Sequence, residues 1–113
     1  MSQFEVLQKV GLTKTGVRCY ASLQEQGPAR ARRLAGRLDL PATNLYGVLA
    51  DLVEQGFVSR VKLTSRPALF IARPLNEAMR EHFVYQSRLV RGLCNELGVP
   101  SPPVPRPVFK NGR

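Results

Sequence analysis

The sequence predicts a mainly α-helical domain with a small β-hairpin, an α+β chain of 113 residues. Three observations carry this. Between Phe4 and Gln55, apolar residues recur at spacings of three and four in segments parted by Gly and Pro. Two short β-prone runs, Phe57–Val61 and Ala68–Ala72, flank a basic connection. A final stretch from Leu75 to Leu97 keeps helical spacing with no proline inside it. The length suits one domain, and a hydrophobic content of 43% is enough to build a core.

Phe4 to Val10 reads as a short helix with Phe4, Val6, Leu7 and Val10 apolar, broken by Gly11-Leu12. Thr13 is the expected N-cap of a second helix running to Gln26, on which Val17, Tyr20, Ala21 and Leu23 make one stripe. Gly27-Pro28 ends it, because Gly suits a left-handed C′ position and Pro cannot continue the helix. A third helix is expected from Ala29 to Leu38, burying Ala31, Leu34, Ala35 and Leu38. Asp39-Leu40-Pro41 is the next break, with Pro41 in the first turn of a fourth helix that stops at Gly56. On that helix Leu45, Val48, Leu49 and Leu52 fall within about 100° of one another, the usual width of a core face. Its opposite face shows Thr43, Gly47, Ala50 and Glu54, flanked by Asn44 and Tyr46.

The two β-prone runs, joined by Lys62-Leu63-Thr64-Ser65-Arg66-Pro67, predict a two-stranded hairpin with a basic tip. After Pro74 the longest helix spans Leu75 to Leu97, roughly 34 Å if unbroken. Met79, Phe83, Gln86, Val90, Leu93 and Leu97 step along it at alternating intervals of four and three, an apolar seam with one polar member. From Val99 to Arg113 the chain holds five of its nine prolines and no period, as in a polyproline-like or disordered tail.

Helices, a tight turn, a helix, a β-hairpin and a closing helix make the order of a winged helix-turn-helix followed by a long C-terminal helix. The expected organisation is a DNA-binding domain over 1–74, a dimerisation helix over 75–98 and a basic proline-rich tail over 99–113. Helix 41–55 is then the recognition helix for the major groove, with wing 62–66 on the backbone or minor groove.

Leu12-Thr13 through Tyr20 and Leu23, Gly27-Pro28-Ala29, Leu34-Ala35, Pro41, Leu45-Tyr46-Gly47-Val48-Leu49, Leu52 and Gly56-Phe57-Val58 resemble the TrmB-type transcriptional regulators. Arg66-Pro67-Ala68-Leu69-Phe70-Ile71-Ala72-Arg73-Pro74 is similar to that family's second wing strand and its exit into the next helix. The resemblance covers about residues 4 to 80, in a pattern shared with MarR and ArsR regulators. It implies duplex DNA as partner. Such regulators often carry a large C-terminal effector domain, whereas this sequence ends after one long helix, so no small-molecule effector is implied. Thr15 and Gly16 stand where larger, better helix formers are expected, which weakens the start of the second helix.

The charge distribution points the same way. Seventeen Lys and Arg against eight Asp and Glu give a net charge of +9, which favours polyanionic partners. Segment 57–73 carries four cations and no acid, and 98–113 carries three cations and no acid. The candidate phosphate contacts are Arg30, Arg32, Arg33 and Arg37 on the third helix, with Arg30, Arg33 and Arg37 on one face. Lys62, Thr64, Ser65 and Arg66 are the candidates on the wing. On the recognition helix, Asn44 offers an amide suited to adenine, Thr43 a methyl and hydroxyl for a base edge, and Tyr46 a phenol for phosphate. Gly47 costs about 1 kcal/mol relative to Ala in mid-helix, which close approach to DNA would justify. No arginine stands on this face, so the commonest guanine contact is absent and sequence specificity is expected to be modest.

Met79, Phe83, Gln86, Val90, Leu93 and Leu97 are the expected homodimer seam. Cys19 and Cys94 fall within helices and the N-terminus lacks a basic then apolar signal pattern, so a cytoplasmic location with free thiols is expected. No apolar run is long enough to span a membrane. One histidine and two distant cysteines make no familiar metal spacing, and neither a phosphate-cradling glycine loop nor a nucleophile elbow is present. No enzyme activity, cofactor or metal is therefore expected. The alternative reading is a winged-helix protein-interaction or scaffold subunit of a nucleic-acid-associated complex.

Overall fold

A computed structural model describes residues 3–62 and 65–102. Five helices and three short strands follow in the order α1 (Gln3–Lys9), α2 (Lys14–Gln26), β1 (Ala29–Arg30), α3 (Ala31–Leu38), α4 (Ala42–Gln55), β2 (Val58–Val61), β3 (Leu69–Ala72) and α5 (Leu75–Leu97).

Each boundary has a local cause. Thr13 caps α2, its hydroxyl accepting a hydrogen bond from the Gly16 amide at 3.0 Å. Gly16 is buried beside this cap, where a Cβ would crowd the Thr13 hydroxyl at 3.3 Å and meet Leu52 of α4 at an ordinary contact distance of 3.7 Å. The cap offsets the weak helix propensity of Thr15-Gly16. Asp39 ends α3 in the left-handed region at φ 56°, a conformation that Asp tolerates better than most residues. Helix α4 begins at Ala42, so Pro41 stands at its N-cap rather than inside its first turn, and the Pro41 carbonyl accepts from the Asn44 amide at 3.0 Å.

The expected two-stranded hairpin has a third strand. Ala29 and Arg30, assigned to the third helix by their sequence, instead pair antiparallel with β3, Ala29 opposite Phe70 and Arg30 opposite Leu69. The sheet order is β1-β3-β2, and Arg60 of β2 also lies opposite Phe70. Pro28 holds the chain extended as it leaves α2, and β3 supplies the hydrogen-bonding partner. Arg30 is therefore a strand residue and N-cap of α3, not a member of a helical face with Arg33 and Arg37.

The core joins all these elements. Tyr20, Leu34, Leu45, Leu49 and Phe57 are fully buried, and each such side chain contributes about 2–3 kcal/mol of hydrophobic stabilisation. The Tyr20 and Phe57 rings meet edge-on at 5.7 Å, and the Tyr20 hydroxyl donates to the Arg73 carbonyl at 2.7 Å. That bond ties α2 to the exit of the wing. Burial pushes the Tyr20 phenol up to about 12 and the Cys19 thiol up to about 11. Cys19 and Cys94 are both free.

Helix α5 has two unlike halves. Its first turns press on the domain: Ala78 and His82 are buried and Met79 packs against the core. His82 Nε2 donates to the Val10 carbonyl at 3.2 Å, its ring lies 5.0 Å from Phe57 and 5.9 Å from Tyr85, and the Gln86 amide approaches the same nitrogen at 3.2 Å. The single histidine is thus a packing residue. The second half of α5 leaves Leu89, Val90, Leu93 and Leu97 exposed, Leu97 by 74%. Among the described residues no helix is long and apolar enough to cross a membrane.

Gly56 is the hinge between α4 and the wing, and it is constrained twice. Its φ of 95° favours glycine, and any Cβ would run into Glu81 of α5. Gly56→Ala is expected to destabilise the domain by about 3 kcal/mol, combining left-handed strain with overpacking. Urea unfolding checks this; a loss under about 1 kcal/mol would mean that α5 moves aside at little cost.

Candidate nucleic-acid interface

The outward face of α4 is held by its buried face. With Leu45, Leu49 and Leu52 locked in the core, Thr43, Asn44, Tyr46 and Gly47 are all exposed along the first two turns. A Cβ added at Gly47 meets nothing within 4 Å, so no contact inside the domain demands glycine there. Tyr46 is 56% exposed, an unusual position for a large aromatic ring in a folded monomer.

Basic residues lie on both sides of this helix. Arg30, Arg32, Arg33 and Arg37 ring one hollow of about 440 Å³ at the start of α3. Arg30 and Arg32 also line a larger cleft of about 590 Å³ between α4 and the wing, together with Arg60 and Lys62. No acidic residue lines either depression. Lys62, Ser65 and Arg66 are exposed on the wing, and Thr64 lies outside the described residues. Two basic depressions thus flank α4, one on the α3 side and one toward the wing, and the exposed acids nearby, Asp39, Asp51 and Glu54, line neither.

Two of the sequence candidates do structural work as well. Arg37 donates from Nη1 to the Gly27 carbonyl at 2.9 Å and from Nη2 to the Gln26 carbonyl at 3.4 Å, capping the C-terminus of α2. Arg30 donates from Nε to the Pro67 carbonyl at 3.3 Å, fastening the start of α3 to the wing. Arg18 in turn donates to the Leu38 carbonyl at 3.0 Å and caps α3. Arg32 and Arg33 are exposed and, among the described residues, make no such bond to the end of a helix.

Sequence reasoning passed over Arg60. It belongs to the same acid-free segment as Lys62, and strand alternation puts it on the face of Phe70, toward α4. Arg73, from that segment too, leaves the interface entirely: it lines a separate hollow with Glu54, Glu81 and Arg88 behind α4. The usable cations of the wing are thus Arg60, Lys62 and Arg66.

Residues 7–76, most of the domain just described, match the family model described as sugar-specific transcriptional regulator TrmB. The chain belongs to the TrmB family. A relative within reach of direct alignment is the HTH-type sugar sensing transcriptional regulator TrmBL1 of Pyrococcus furiosus, 40% identical over 96 residues. That alignment takes in 80% of this chain and 27% of the relative, so the chain spans about a quarter of the length of that TrmB protein. Solved structures agree on the fold. The transcriptional regulator Tm0710 of Thermotoga maritima superposes with a TM-score of 0.57 at 16% identity, over 83% of this chain and 68% of that one. YusO of Bacillus subtilis gives a TM-score of 0.57 at 18% identity, over 84% and 72%. Overoxidized AbfR bound to DNA gives 0.55 at 24% identity, over 85% and 77%. The superpositions bear on the fold, a mostly helical domain with a small antiparallel sheet and a long C-terminal helix, whereas the family match ends at the start of α5.

Proposed function

We propose that this chain binds double-stranded DNA as a homodimeric transcriptional regulator, working in the cytoplasm and without catalysis. The observation that carries this reading is the pair of basic depressions, neither lined by an acid, that flank the exposed face of α4. A helix of this size fits the major groove, and cations on α3 and the wing sit where the two flanking phosphate strands pass. The polar residues at the front of α4 are then the base readers. Phosphate contacts outnumber them, so binding is expected to be strongly salt-dependent and modestly selective.

The distal half of α5 supplies the dimer contact. Met79 is committed to the core of its own domain and Gln86 is polar, which leaves Val90, Leu93 and Leu97, with Phe83 half-buried, as the apolar part of the seam open to a partner. Leu89 extends this strip. An apolar strip of this kind is covered in most soluble proteins, and a second copy of the same helix covers it symmetrically.

Base reading has its own test. Asn44→Ala is expected to change the ranking among duplexes selected from a random pool, reducing preference at one base pair by about 1–3 kcal/mol. Uniform weakening across all duplexes would instead assign Asn44 to the backbone.

A further inference from the structure

The cleft between α4 and the wing is more than a stretch of basic surface. At about 590 Å³ it falls within the roughly 300–1,000 Å³ range of small-ligand sites. Tyr46, Ala50 and Val53, four and three residues apart, form its helix wall. Ala31, Ala68 and Phe70 are buried and form its floor. Arg30, Arg32, Arg60 and Lys62 stand at its edge, and no acid faces them.

These features select a ligand class. A bare inorganic anion gains nothing from the apolar floor, and a neutral apolar molecule gains nothing from the four cations at the edge. The cleft calls for a flat, largely apolar body joined to more than one negative charge. A nucleoside phosphate has both. Its base can stack against the exposed Tyr46 ring, as unpaired bases do on aromatic side chains. Its phosphates suit the guanidinium groups, which bind phosphate oxygens in pairs. Arg30 is already held by its Nε bond to Pro67, so its terminal nitrogens are fixed beside the cleft at low entropic cost.

We infer that the cleft between α4 and the wing is a nucleoside-phosphate site, with Tyr46 against the base and Arg30, Arg60 and Lys62 on the phosphates. The occupant is a free nucleotide, because a base paired within a duplex is stacked on its neighbours and cannot lie on Tyr46. A nucleotide filling the cleft would block the approach of duplex to α4 and the wing, and the site stands without the DNA-binding reading above.

Ala50→Leu separates shape from charge. The position is exposed on α4, Leu is a good helix former, and the added side chain enters the cleft while every cation stays. Arg60→Gln removes one charge at the edge. The probes are ATP, inorganic tripolyphosphate and a random 25-base-pair duplex, each titrated against the full chain, with thermal unfolding confirming that both variants fold. ATP is expected to bind at least tenfold tighter than tripolyphosphate, and both variants should lose that binding by tenfold or more. ATP no tighter than tripolyphosphate in the wild type, or an ATP preference that survives both Ala50→Leu and Arg60→Gln, overturns the inference. A wild-type chain that ignores duplex DNA but binds ATP in this manner would refute the DNA-binding reading and keep the site. Should Ala50→Leu fail to fold, the ATP-to-tripolyphosphate ratio of the wild type and its loss in Arg60→Gln decide the matter.

Discussion

Neutralising the wing, as Lys62→Gln with Arg66→Gln, is expected to weaken binding to every duplex and to flatten the plot of log K against log salt by about 2 units. Both side chains are exposed and neither is needed by the core, so the folded domain should be unaffected. Each phosphate neutralised releases about 0.9 of a counterion, which sets the change in slope. Affinity at low salt should fall roughly tenfold per cation, since a hydrogen bond to a charged group contributes about 1.5 kcal/mol. The change should not depend on base sequence, because phosphate oxygens carry none. Filter retention of several unrelated duplexes across a salt series measures both quantities. An unchanged slope would take the wing tip off the DNA and leave the basic work to α3 and Arg60.

Breaking the distal half of α5 should have the second large effect. Wild-type protein is expected to sediment at twice the chain mass of 12.6 kDa, and the Val90→Glu, Leu93→Glu variant at the chain mass. Val90 is 40% and Leu93 58% exposed on the single chain, so the substitutions should leave the folded domain intact. In a twofold pair they would bury four carboxylates with no partner, which costs several kcal/mol and should raise the dimer dissociation constant at least about 100-fold. Loss of the dimer would also uncouple two recognition helices that otherwise meet half-sites about 34 Å apart. Duplex affinity should therefore drop with it. A wild-type monomer would refute the pairing, and a dimer that survives both glutamates would move the interface off this helix.

Much of this architecture is legible in the sequence because its causes are local. Leu75–Leu97 begins after a proline and ends before a glycine, and both ends lie where that punctuation puts them. Thr13 caps α2 through its own side chain, a bond that spans three residues. The strand β1 is different. It is two residues long, too short for any period, and its partner Phe70 lies far along the chain. Its existence is a tertiary fact. The same holds for Arg37, which looks like a surface cation until the C-terminus of α2 is placed beside it. Met79 and His82 share that lesson: a seven-residue repeat marks an apolar seam but not which part of it the domain itself will cover. Arg60 is the opposite case. Its place over Phe70 follows from strand alternation, and attention to the hairpin tip alone passed it by.

The central claim is that the basic surface around α4 holds duplex DNA, and its most direct test is the salt dependence of binding by the wild-type chain. A 30-base-pair duplex should be retained tightly at 50 mM salt and released steeply as salt rises. With Arg32, Arg33, Arg60, Lys62 and Arg66 each meeting one phosphate, the log–log slope should be about −4 to −5 per chain, doubling for a dimer. A slope near zero, or no retention at 50 mM salt, would contradict the account.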